Sequence, residues 1–168
     1  MMIGKKLILL LLFIPLVSFG QTAEEYYKKG KSYYDLGQYY NSLSDFDQAI
    51  ELNPDYVLAY FYRGYSKDEL KDYYGAVSDY NKAIELNPDY TTAYVNRGSA
   101  KDNLEDYYGA ISDFNKAIEL DPDYTMAYAN RGISKENLKD LSGACLDWKK
   151  AASLGSTNSA EWVANQCN

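Results

Sequence analysis

The chain has 168 residues, a formal charge of −7 and no histidine, with a sequence pI near 4.6. An acidic chain without a basic run argues against a nucleic-acid ligand, because phosphate recognition needs clustered lysine and arginine to release counterions. The missing imidazole removes histidine-based triads, general bases and metal sites together.

Residues 1–20 stand apart from the remainder of the chain. Lys5 and Lys6 precede an apolar run from Leu7 to Phe19, broken by Pro15, and Ser18 and Gly20 put small residues ahead of Gln21. A basic start, a short apolar centre and a small-residue end predict an export signal cleaved near Gly20. An uncleaved anchor is the alternative, but the run falls short of the about 20 apolar residues that a span requires. No cysteine directly follows it, so lipid-anchored maturation is not expected. The expected mature form is exported, periplasmic or secreted, with no membrane span and a more acidic balance.

From Ala23 onward the text repeats every 34 residues: Ala23–Tyr56, Val57–Tyr90, Thr91–Tyr124 and Thr125–Ser156. The second and third copies agree at most positions. A fixed period of this length marks a solenoid whose unit is a pair of antiparallel helices. In the third copy Ala93, Tyr94, Arg97, Gly98, Lys101 and Leu104 recur at three- and four-residue steps and predict one helix. The polar pair Glu105-Asp106 turns the chain. Tyr107, Ala110, Ile111, Phe114, Ala117, Ile118 and Leu120 then predict a second helix, closed by Asp121-Pro122-Asp123, since proline disfavours helix before it and cannot continue one. Pro54 and Pro88 close the earlier copies.

These residues resemble the tetratricopeptide repeat family. Glycine in the first helix (Gly30, Gly64, Gly98, Gly132) and alanine in the second (Ala49, Ala83, Ala117, Ala151) match its pattern. So do the intervening aromatics (Phe46, Tyr80, Phe114, Trp148) and the closing prolines. The resemblance covers residues 23 to about 156 and implies an all-α, right-handed superhelical solenoid of helix hairpins that presents a surface to another molecule. Mid-helix glycine costs about 1 kcal/mol relative to alanine, so its recurrence predicts a helix crossing too close for a side chain. Lys29, Arg63, Arg97 and Arg131 precede the glycines, and Asp45, Asp79, Asp113 and Asp147 hold the matching place on the second helices. Each cation is expected to pair with the aspartate of its own copy.

In this family the first helices line a concave wall that binds ligands. Carried over by register, the wall comprises Glu24, Tyr27 and Lys31; Leu58, Phe61, Tyr62 and Tyr65; Thr92, Val95, Asn96 and Ser99; and Met126, Ala129, Asn130 and Ile133. Asp35, Asp68, Glu69, Asp102 and Glu136 form an acidic edge. An apolar floor with an acidic rim suits a peptide carrying apolar and basic side chains, unless the acids are only a solvated face. Asn96 and Asn130 can hold a peptide backbone through donor and acceptor together. Lys28 and Tyr62 occupy the matching places elsewhere, which weakens an asparagine ladder. Chaperone-binding members clamp a terminal carboxylate with lysines, asparagines and an arginine. Here that register offers Tyr27, Lys31, Tyr62, Thr92 and Asn96, too few cations for the clamp.

Tyrosine occurs 19 times. Tyr39-Tyr40, Tyr73-Tyr74 and Tyr107-Tyr108 open second helices, and a turn of about 100° per residue lets only one of each pair pack inward. Tyr40, Tyr74 and Tyr108 form a candidate second surface for a glycan or a partner chain, or are simply helix-start residues. In the fourth copy Leu154-Gly155-Ser156 replaces the proline turn. Residues 157–168 predict a capping helix over Ala160 to Gln166, started by Asn158 or Ser159, with Trp162 and Val163 inward. Cys145 and Cys167 both lie at this end, and an exported chain with two cysteines predicts a disulfide between them, against two buried thiols. No metal, cofactor or catalytic constellation is expected. The expected function is a non-catalytic interaction scaffold for a protein or peptide, with a place in an envelope complex; the alternative is a carbohydrate- or peptidoglycan-associated binding protein using the tyrosine rows.

Overall fold

The computed structural model describes residues 21–167, so the export signal expected over residues 1–20 lies outside the described residues. Among the described residues there are nine helices and no strand. They are α1 (Ala23–Asp35), α2 (Tyr39–Leu52), α3 (Val57–Glu69), α4 (Tyr73–Leu86), α5 (Thr91–Asn103), α6 (Tyr107–Leu120), α7 (Thr125–Asn137), α8 (Leu141–Ser153) and α9 (Thr157–Gln166). Each odd helix packs against the even helix after it, and each even helix against the next odd one. The result is a solenoid of four hairpins and a final helix.

Local chemistry sets the boundaries. Thr22 accepts a hydrogen bond from the Glu25 N–H while Glu25 accepts from the Thr22 N–H, a reciprocal cap on α1. Asp72, Asp106 and Asp140 accept from the backbone N–H of Gly75, Gly109 and Gly143 and start α4, α6 and α8. At the other end Asn53, Asn87 and Asp121 accept, through Oδ1, the N–H two residues on, so a side chain bridges the proline that has no N–H of its own. The turn inside each hairpin needs a residue at positive φ: Gly37 (70°), Lys71 (63°), Glu105 (62°) and Lys139 (67°).

The core forms where the glycines let helices meet. Phe46, Tyr80, Phe114 and Trp148 are buried, beside Ala49, Ala83, Ala117 and Ala151. A Cβ on Gly98 would lie 2.7 Å from the Phe114 ring, and one on Gly132 2.3 Å from the Trp148 indole nitrogen. Because these rings are enclosed, a methyl there must displace packed atoms, at about 1–3 kcal/mol, which exceeds the gain in helix propensity.

Each expected ion pair is present. Lys29 reaches Asp45 at 2.7 Å. Arg63, Arg97 and Arg131 donate from Nε to Asp79, Asp113 and Asp147, each at 2.9 Å. A second cation, unforeseen from the sequence, joins three of them: Lys67, Lys101 and Lys135, one turn further along, bind the same aspartates at 2.7, 2.8 and 2.7 Å. The arginines also reach back into the preceding copy, where Nη1 donates to Asp47, Asn81 and Asn115. In the fourth copy that register is held by Lys149.

At the C-terminus Cys145 and Cys167 form a disulfide with Cα atoms 5.6 Å apart. Helix α9 begins earlier than expected. Its cap is Ser156, whose hydroxyl accepts from the Ser159 N–H, rather than Asn158 or Ser159. Gly155 at φ 99° ends α8 and leaves Ser156 in the extended conformation that a cap needs. Trp162 and Val163 pack on the Trp148 cluster, with the two indole rings 5.4 Å apart.

Candidate functional site

The odd helices form one continuous wall: α1 touches α3, α3 touches α5 and α5 touches α7, while among the described residues no comparable contact joins neighbouring even helices. Odd helices crowding together put themselves on the inner side of the curve. What each expected binding residue can offer therefore depends on how much of it is exposed on that side.

At the N-terminal end aromatic rings dominate. Tyr27 lies among Phe46, Tyr56 and Tyr62 at centroid distances of 6.1, 5.0 and 5.9 Å. Burial pushes its hydroxyl up to about 12. Tyr34 stands edge-on to Tyr62 and to Tyr65, 5.4 and 5.2 Å away. Lys31 extends over this end, its ammonium 5.2 Å from the Tyr34 ring and 5.0 Å from the Tyr62 ring, and binds Asp35. Leu58, one turn before Tyr62 on α3, is 40% exposed.

Two expected members are corrected. Phe61 is only 5% exposed and Val95 1%. Phe61 packs on Tyr90 at 4.8 Å and on Tyr80, and Val95 on Phe114 and its neighbours. Both fall on the flank of the odd helix that faces the core, so they support the wall without lining it. Tyr62 and Tyr65, half-buried, present surface in the second copy.

Toward the C-terminal half the wall becomes polar and aliphatic. Asn130 donates to the Ser99 hydroxyl at 3.1 Å, and that hydroxyl in turn donates to the Val95 carbonyl. Asn130 is thus engaged within the protein, whereas the Asn96 Nδ2 is buried and completes no hydrogen bond. Met126 is 51% exposed, and Ile133 is half-buried.

The acidic edge is uneven. Asp102 accepts from Ser134 at 2.7 and 2.8 Å, while Oδ1 of Asp68 is buried with no donor. Burial raises both carboxyls to about 6; Glu69 adds to the rise at Asp68, and the Ser134 hydroxyl opposes it at Asp102. The Tyr80 hydroxyl lies in the same region. Burial raises it, Asp68 contributes, and Asn96 approaches it without completing a hydrogen bond.

On the opposite side Tyr40, Tyr74 and Tyr108 are 77, 78 and 77% exposed, and Tyr39, Tyr73 and Tyr107 are half-buried. A cavity of about 450 Å³ lies beside the first of the row, lined by Gly37, Gln38, Tyr39, Tyr40, Asn41 and Leu70. Among the described residues no cluster of three or more acidic or cysteine side chains suits a metal ion, and no helix is long and apolar enough to cross a membrane. Tyr34, Tyr56 and Tyr90 join the aromatic end although the repeat pattern did not single them out. The signal for Tyr34 was its place three residues after Lys31, on the same helix face.

The family model described as "Tetratricopeptide repeat" matches residues 23–56, 57–90 and 91–124. The α7–α8 hairpin beyond the match repeats the same glycine, arginine and aspartate contacts. No curated protein matches the chain in sequence. Among solved structures, MamA residues 41 to the end from Desulfovibrio magneticus RS-1 is similar at 25% identity and TM-score 0.75, covering 79% of this chain and 75% of that one. The first repeat domain of Spaghetti (RPAP3), solved bound to the HSP90 peptide SRMEEVD, is similar at 28% identity and TM-score 0.69, covering 71% and 94%. The OM64 repeat domain of Arabidopsis is similar at 27% and 0.67, covering 69% and 96%.

Proposed function

The chain belongs to the tetratricopeptide repeat family, and from that premise we propose that it is a non-catalytic adaptor whose inner wall holds a peptide segment rich in apolar and basic side chains. The carrying observation is the joint exposure of Leu58 and Met126 on a wall edged by Asp35, Asp68 and Glu69. Leu58 and Met126 supply apolar anchors, and the acids favour positive charge beside them. The same acids disfavour a ligand such as SRMEEVD, the peptide held by the RPAP3 domain. Calorimetric titration of the full chain tests this. A basic, leucine-containing peptide binds, SRMEEVD does not, and Leu58→Ser with Met126→Ser weakens binding about tenfold or more. Equal affinity for both peptides would overturn the charge assignment.

The proposal extends to export and to a role in a cell-envelope or extracellular assembly. It is supported by the basic-apolar-small pattern of residues 1–20 and by the Cys145–Cys167 disulfide, a bond that persists in oxidising compartments. Cell fractionation with and without residues 1–20 tests it, with retention of the full chain in the cytoplasm counting against it. The near-equal exposure of Tyr40, Tyr74 and Tyr108 favours a second reading, glycan binding on the outer face. Retention on a peptidoglycan column that disappears when all three become alanine would support it.

A further inference from the structure

We propose that Tyr34, Tyr62 and Asp35 form a receptor for an alkylammonium group, that Lys31 is its resident occupant, and that a lysine-like side chain of the partner takes its place. The inference rests on the peptide-binding reading above and names where a basic residue of the partner lands.

Lys31 is peculiar to the first copy. Its register partners are Tyr65, Ser99 and Ile133. The cations at other recurring positions bind buried aspartates, but the Asp35 side chain that Lys31 binds is 56% exposed. That ion pair alone is a poor reason for the ammonium to stay. Lysine four residues before an acid is the weaker orientation on a helix, and an aspartate in the last turn of α1 opposes the helix dipole. What the ammonium gains in this place is two ring faces, each about 5 Å away, within the range of cation–π attraction. The chain itself therefore demonstrates the ligand chemistry of the cage.

The charge around the cage is not balanced. Glu69 faces Tyr34 and Tyr39 from α3 and contributes to raising both hydroxyls. Asp35 binds the Lys31 ammonium, and Glu69 adds a second negative charge near Tyr34. An incoming ammonium exchanges with Lys31 on the rings, and the extra carboxylate retains the displaced cation nearby. Because the exchange is of like for like, an isolated ammonium gains little. A partner succeeds only when its lysine is joined to contacts on Leu58 or Tyr65, so Lys31 acts as a selectivity threshold.

Titration of the full chain with tetramethylammonium chloride, followed by NMR of the tyrosine rings, reads the cage directly, with sodium chloride as the control for ionic strength. Tetramethylammonium is expected to shift Tyr34 and Tyr62 only weakly in the unaltered chain and saturably in Lys31→Ala, which binds it about fivefold more tightly, the scale of one exposed cation–π contact. Asp35→Asn should weaken it in the Lys31→Ala background, and this isosteric change keeps α1 folded. No tightening in Lys31→Ala, or equal shifts at Tyr40 and Tyr74, would overturn the proposal. The two readings fail separately. If the basic leucine peptide binds wild type and Lys31→Ala equally without moving Tyr34, the groove stands and the cage falls. If tetramethylammonium is captured while no peptide binds, the cage stands and the groove falls.

Discussion

Asp68 and Asp102 occupy the same register one copy apart, yet only Asp102 has a donor. Ser134 supplies it, and in the preceding copy Ala100 stands where that serine would be, equally buried. Both carboxyls have folded values near 6, above the about 3.9 of an unfolded aspartate. Raised values mean that the protonated form is the one the fold prefers. The stability they contribute is full below about pH 4 and is lost as pH rises through about 6. Ala100→Ser places a hydroxyl within reach of Asp68, lowers its value and stabilises the protein by about 1 kcal/mol at pH 7. Urea denaturation at pH 4 and pH 7 measures it: the substitution helps at pH 7 and has little effect at pH 4, so it narrows the difference between the two. A gain of equal size at both values would rule out this explanation.

At the level of helices and turns, the disulfide is the only covalent tie between α8 and α9 among the described residues, apart from the chain itself. It joins residues 22 apart in sequence, and closing such a loop stabilises by about 3 kcal/mol through the unfolded chain. Cys167→Ser should therefore lower global stability by about that amount and release α9 first. Hydrogen exchange would show amides of 157–166 losing protection ahead of α7. The hairpins themselves were legible because glycine, arginine, aspartate and proline each recur at a spacing of 34, and each has one physical job. The turns were less so. Lys71, Glu105 and Lys139 adopt positive φ, a conformation that sequence announces only when it uses glycine, as at Gly37. The inner wall was legible by register but not by depth. Phe61 and Tyr65 lie four residues apart, about one helical turn, yet the first is buried and the second more open, a difference of rotation decided by Tyr80 on α4 and by Tyr90, the residue that caps α5. The aromatic cage escaped because it joins α1 to α3 and no single repeat contains it.

Across the whole molecule stability is uneven. The three later copies each hold a buried aspartate between an arginine and a lysine. The first copy has only Lys29, itself 50% exposed, and Tyr33 in place of the second cation. Its second helix also lacks the aspartate cap of the others. Repeat arrays unfold according to the sum of unit and neighbour terms, so α1 and α2 are expected to open first. Hydrogen exchange should rank α2 amides below those of α4 and α6, and Gln38→Asp, which restores the cap register, should narrow the gap by about 1 kcal/mol. Equal protection of α2 and α4 in the unaltered chain would contradict this order.

The arginines that reach back to Asp47, Asn81 and Asn115 also give the array a direction. As the chain emerges from the ribosome, each new arginine meets an acceptor already made, so every hairpin has a finished template to dock on and growth proceeds one way. In the fourth copy Lys149 holds this register, a cation where the earlier copies present an acceptor, so α9, which carries no arginine, docks on α8 without the contact that joins the hairpins.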